Sequence, residues 1–179
     1  GNCYYGQNNA TTTCNFTSTG IKNNKTRNAI SETAYHLGGW NVHTIYSNQI
    51  YNYERGTKVY SERPNASLGK IALAYPSDYG YATDLSKCSQ NLYNYNNSTC
   101  TDNNWIKPII TNNGNAYGWL LTQYSDSSNV AWVVKSTGNI SNRNVYGTNG
   151  ITPVLYLDPS VDIKSGTGTS TAPYQLSVN

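Results

Sequence analysis

Between residues 118 and 157 the chain runs through four short stretches of alternating or β-branched residues, each closed by a turn signal. The stretches are 118–123, 129–136, 140–146 and 151–157. Asp126-Ser127-Ser128, Thr137-Gly138-Asn139 and Thr148-Asn149-Gly150 stand between them. Short strands joined by such turns predict an antiparallel sheet. A last segment, 161–178, carries a Gly/Thr/Ser turn and ends on Tyr174, Leu176 and Val178. Upstream the period is helical. Thr26 is placed to cap a helix in which Ile30, Ala34 and Leu37 fall on one face before Gly38-Gly39 ends it. A second helix begins near Thr44, with Tyr46, Ile50 and Tyr53 at the same spacing and Gly56 as the stop. Residues 57–60 and 70–75 then read as strands. In the second, Ile71, Leu73 and Tyr75 share one face, with Ala72 and Ala74 on the other. Pro76-Ser77-Asp78 turns the chain, and Ser77 or Asp78 is placed to cap a short helical turn through Ala82. Residues 84–118 are long, polar and loop-like, with Trp105 and a cysteine pair to pin them. The expected class is α+β: two helices, long disulfide-pinned loops and a C-terminal antiparallel sheet. Residues 1–23 read as a polar, disulfide-closed leader, and 24–179 as the globular domain.

Four cysteines bear on the compartment. Cys3 and Cys14 enclose one polar loop, and Cys88 and Cys100 enclose another. Neither pair has the close spacing of a zinc site, and only His36 and His43 could add ligands. Of three connectivities, nearest-neighbour pairing is the simplest, each bridge closing about a dozen residues for roughly 3 kcal/mol. Bridges inside polar loops that bury little apolar surface suit an extracellular protein. Four reduced thiols in a cytosolic protein are the alternative. Seven Asn-x-Ser/Thr triplets, at Asn9, Asn15, Asn24, Asn65, Asn96, Asn97 and Asn139, arise easily in so Asn-rich a chain.

Charged residues make up 12% and the net charge is +3, which predicts no nucleic-acid footprint. With 17 Tyr and 4 Trp, the chain has the aromatic surface a folded core needs. No run of apolar residues is long enough for a membrane helix, and no signal peptide is visible, so a mature or truncated form is expected. Nine carboxylates are scattered with no locally converging pair, and His36 falls mid-helix. Nucleophile-elbow, metalloprotease, P-loop and dinucleotide fingerprints do not occur. Gly166-Thr167-Gly168-Thr169 reads as a turn. No catalytic residue, metal site or cofactor is expected.

Binding chemistry is richer. Trp119, Tyr124, Trp132, Tyr146 and Tyr156 crowd the final sheet, with amides and a guanidinium among them. A ligand surface for a glycan or protein is placed at Tyr124, Asn129, Asn139, Asn142, Arg143, Asn144, Tyr146 and Asn149. The plainer reading is ordinary solvated turns, with Trp119 and Trp132 in the core.

Several motifs carry a resemblance. Tyr53-Glu54-Arg55-Gly56-Thr57 is followed by Gly69-Lys70-Ile71-Ala72-Leu73-Ala74-Tyr75-Pro76-Ser77-Asp78-Tyr79-Gly80-Tyr81-Ala82. Residues 119–125 match a W-x-L-x-P-Y-S segment with Gln123 in place of proline, and 150–157 match G-V-R-P-V-L-Y-L with Thr152 in place of arginine. Gly166-Thr167-Gly168-Thr169-Ser170 and Pro173-Tyr174-Gln175-Leu176 resemble a closing G-x-G-T-S…P-Y-x-L. Together, from about Thr26 to Leu176, the chain resembles a family of poorly characterised surface proteins of Firmicutes. The resemblance implies a C-type-lectin-like fold. It also implies the globular head of a pilin-like subunit or adhesin, whose partners are other surface-protein subunits, itself included, in a filament. The alternative it leaves is a lectin-fold receptor using the Asn/Tyr-rich loops 125–149. Calcium-dependent lectin triplets (Glu-Pro-Asn, Gln-Pro-Asp, Trp-Asn-Asp) are absent from the sequence.

Overall fold

The computed structural model of the chain describes residues 23–111, 117–169 and 171–178, together with two short strands near the N-terminus. Those strands, β1 (Asn2–Cys3) and β2 (Thr12–Thr13), pair antiparallel. The Cys3–Cys14 bridge lies outside the described residues.

The architecture is α+β, with five short helices among the described residues and antiparallel sheets. The first helix, α1 (Asn24–Asn28), is capped by Asn23, whose side chain accepts the Lys25 N–H at 2.8 Å. It stops well short of Leu37, contrary to the helical spacing of Ile30, Ala34 and Leu37. Thr33–His36 instead forms β3, paired with β4 (Ala66–Gly69), Tyr35 opposite Ser67. Tyr35 turns inward while its neighbours stay outside, a two-residue period that the distant partner strand imposes over the local one. His36 therefore sits exposed on a strand, its carbonyl accepting the Tyr75 hydroxyl at 3.0 Å.

The second helix, α2 (Ser47–Glu54), forms where the spacing places it, but with another face inward. Ser47, Ile50 and Glu54 are buried, and Tyr46 and Tyr53 look outward. Residues 57–60 form no strand, and the expected 70–75 strand shrinks to β5 (Ala72–Leu73). Next, α3 (Pro76–Tyr81) starts with proline in its first turn, where the missing N–H costs nothing. Asp78 closes that turn by accepting the Tyr75 N–H at 2.9 Å, so the N-cap position is Tyr75, one residue ahead of Pro76.

The 84–118 stretch is more ordered than its composition suggests. A 3-10 turn at Leu92–Asn94 is followed by α4 (Ser98–Thr101) and α5 (Lys107–Thr111). Trp105 does not pin it; this side chain is 68% exposed. Its neighbour Asn104 does, buried and donating to the Tyr79 carbonyl at 2.8 Å and to Thr83 Oγ1 at 2.6 Å. The Cys88–Cys100 disulfide is the second tie, and both cysteines belong to the hydrophobic core.

The central sheet has the order β6 (Tyr117–Gln123), β7 (Val130–Lys135), β8 (Ile140–Asn144), all antiparallel. A register shift between Trp119 and Gln123 bulges β6. Only Pro153–Val154 of the expected fourth strand pairs, as β9 with β5. Beyond it, the Tyr156 carbonyl accepts the Ser31 N–H at 2.9 Å and Leu157 bridges to Ile30, so this stretch serves the N-terminal side instead. A closing hairpin pairs β10 (Val161–Ser165) with β11 (Gln175–Val178).

One face of the central sheet carries the core. Trp40 and Trp132 stack with centroids 4.1 Å apart and planes 6° from parallel, and Tyr124 leans on Trp132 at 5.2 Å. Ile45, Ile50, Tyr79, Leu92, Tyr95, Ile110, Leu120, Val134 and Ile140 complete it. Each such apolar side chain contributes roughly 1.5–3 kcal/mol by leaving water. No described helix is long and apolar enough to cross a membrane.

Candidate functional site

Glu54 ends α2 with its carboxylate pointing inward and no solvent exposure. Its oxygens accept the Ser77 N–H at 2.9 Å and the Ser77 hydroxyl, both at the start of α3. Arg55 lies beside it at 3.4 Å, with its guanidinium 3.5 Å above the Tyr51 ring and 5.5 Å from that of Tyr75. Burial pushes the Glu54 carboxyl up to about 7; the Ser77 donors and Arg55 pull the other way without offsetting it. Burial likewise pushes the Tyr75 hydroxyl up to about 12, and raises that of Tyr79.

The chain also comes very close here. The Gly38 N–H donates to the Glu54 carbonyl at 2.9 Å, and a Cβ on Gly38 would stand 2.2 Å from the Tyr53 carbonyl oxygen. The first two motif runs, Tyr53 to Thr57 and Gly69 to Ala82, are therefore one structural unit. Glu54, Arg55 and Gly56 clasp Tyr75, Ser77 and the segment around Gly38 that follows β3. A carboxylate near neutrality in a cleft would be a candidate general acid. This one is sealed, and both oxygens serve the fold.

Open concavities lie elsewhere. One of about 210 Å³ sits between the start of α2, the end of α3 and the disulfide loop. Tyr46, Asn48, Tyr81, Leu85, Ser89 and Gln90 form its rim, over a floor of Ser47, Cys88 and Tyr95. A second, about 490 Å³, runs along residues 101–108 beside Trp105.

The eight residues expected to form a ligand surface are divided by the sheet. Asn142 pairs with Trp132 across β7 and β8, so it shares the core face, and its side chain accepts the Tyr93 hydroxyl at 3.4 Å. Tyr124 packs on the same core. Arg143 faces the other way, its guanidinium 4.1 Å from the Tyr117 ring. Asn144 donates to the Tyr146 hydroxyl at 2.7 Å, and both are exposed. Asn129 and Asn139 accept from Ser127 and Thr137 inside their own turns. Asn149 is half-buried beside Gly147. Arg143 with Tyr117, and Asn144 with Tyr146, are thus two separate pairs. No group of three or more His, Cys, Asp or Glu placed to hold a metal ion occurs among the described residues.

Sequence reasoning missed both Glu54 and the rim residues. Glu54 sits in a recognisable motif, and its position one helical turn after Ile50 was the available signal. The rim residues come from three segments that only the tertiary fold joins. Comparison with protein-family models, curated proteins and solved structures finds no match.

Proposed function

We propose that this chain is a non-enzymatic extracellular surface protein, the globular head of a pilin-like subunit or adhesin with a C-type-lectin-like fold. The observation that carries the reading is the enclosure of Glu54. The strongly perturbed carboxylate of the described residues is consumed by Ser77 and Arg55 inside the fold, away from both open concavities. Large apolar side chains meanwhile remain exposed on and beside the β3–β4 pair and the C-terminal hairpin, among them Leu68, Ile71, Tyr156, Ile163 and Leu176. Exposed apolar groups at that density suit packing against other subunits. The buried Cys88–Cys100 bridge fits an oxidising compartment. The α+β class, with a three-stranded antiparallel sheet following the helices and the 84–118 stretch, supports the lectin-like assignment.

Electron microscopy of the producing cells, labelled with antibody raised against this domain, tests the reading. Labelled filaments or surface fibrils are expected. Label confined to the cell interior would overturn it.

A further inference from the structure

We infer that the concavity between α2, α3 and the disulfide loop is a binding site for one neutral sugar ring. Its lining is Tyr46, Ser47, Asn48, Tyr81, Leu85, Cys88, Ser89, Gln90 and Tyr95, and contains no Lys, Arg, His, Asp or Glu. A site without charge selects against phosphates, carboxylates and ammonium groups, since nothing there compensates their loss of water. What it offers instead is aromatic faces and neutral hydrogen-bonding groups. Tyr46, Tyr81 and Leu85 are each about half exposed at the rim. The side chains of Ser89 and Gln90 make no hydrogen bond within the described residues. An axial C–H face laid on a tyrosine ring, with hydroxyls reaching amides and a serine, is the chemistry of pyranose recognition.

The platform is preset. Tyr81 meets the Tyr51 ring edge-on at 6.4 Å and 75°, and Tyr51 is in turn covered by the Arg55 guanidinium at 3.5 Å. The floor is rigid as well. Cys88 is bonded to Cys100 within the core, and Ser47 Oγ lies 3.4 Å from the Tyr95 hydroxyl. A Cβ on Gly80 would stand 2.3 Å from Ser47 Oγ, so the close approach of α3 to α2 depends on that glycine. The volume, about 210 Å³, lies below the range of drug-sized pockets and suits a single ring, not an extended peptide. The site needs no metal, and none of its lining residues belongs to the loops at 125–149. It goes beyond the surface-protein reading, because it holds whether or not the domain assembles into filaments.

The test is a nitrogen-15 NMR titration of the full chain with glucose, galactose, mannose, fucose, N-acetylglucosamine and N-acetylgalactosamine, each to about 20 mM. One small ring with few contacts binds in the millimolar range. At least one sugar is expected to give saturable shifts confined to residues 46–51 and 80–95. Tyr81→Ala, a change at an exposed side chain, is expected to weaken that binding about tenfold while leaving the remaining spectrum in place. Gln90→Ala provides a second variant at another exposed position and is expected to weaken it also. No saturable shift with any of the six, shifts located elsewhere, or undiminished binding by both variants overturns the assignment. So does a proline-rich peptide that occupies these resonances when the sugars do not.

Discussion

Glu54 and Ser77 lie 23 residues apart, and the carboxylate of the first accepts both the N–H and the hydroxyl of the second at a point with no access to water. This contact fastens the end of α2 to the start of α3. It also joins the first two motif runs: one supplies the acceptor and its arginine, the other the donors.

Removing the acceptor leaves a buried N–H and hydroxyl without partners. Glu54→Ala is expected to cost about 3 kcal/mol. In a domain of this size that lowers Tm by roughly 6–12 °C, measurable by calorimetry. Glu54→Gln keeps one oxygen for Ser77 and is expected to cost less.

Gly38→Ala tests the close approach of the chain. The new Cβ would meet three carbonyl oxygens, those of Tyr53, Glu54 and Gly56, at 2.2–2.7 Å. Backbone cannot yield as a flexible side chain does, so a loss of at least about 2 kcal/mol is expected from chemical denaturation. A neutral result would mean that the segment at Gly38 is not packed against the end of α2.

The disulfide is expected to behave as part of the core. Cys88→Ser breaks a bridge spanning 12 residues and leaves a hydroxyl in an apolar site. A loss of roughly 3 kcal/mol from the chain-entropy effect, increased by that burial, is expected under non-reducing conditions. An unchanged unfolding midpoint would contradict the pairing.

Arg143→Ala with Asn144→Ala alters exposed side chains at the end of β8. Stability is expected to stay within about 0.5 kcal/mol of the parent. Trp132→Ala, directly opposite Asn142 across the sheet, is expected to cost roughly 4 kcal/mol because it empties half of the Trp40–Trp132 stack.

How far the sequence carried is clearest at particular residues. The three strands of the central sheet were legible because alternation and turn residues are local signals, and each ends within two residues of its expected bounds. The Cys88–Cys100 bridge was legible by proximity. Residues 30–37 misled because Ile30, Ala34 and Leu37 fit a helical face by spacing, while pairing with 66–69 lies outside any local window. Trp105 misled for a different reason. Hydrophobicity suggests an anchor, yet the polar Asn104 beside it has the geometry to bond two buried acceptors. The sugar cleft was illegible because its rim gathers α2, α3 and the disulfide loop.

The non-enzymatic reading rests on Glu54 being a closed structural carboxylate, and its titration tests that most directly. The folded-state value, about 7, lies above the 4.5 of a free glutamate. The folded state therefore holds the proton through that window, so the stabilisation is complete below 4.5 and is lost as pH rises toward and through 7. The measurement is the difference in unfolding free energy between the parent and Glu54→Gln, from pH 4 to 8. The parent is expected to lose roughly 3 kcal/mol relative to the variant across this range. A difference that stays flat, or that grows in the parent's favour as pH rises, would contradict the enclosure of Glu54.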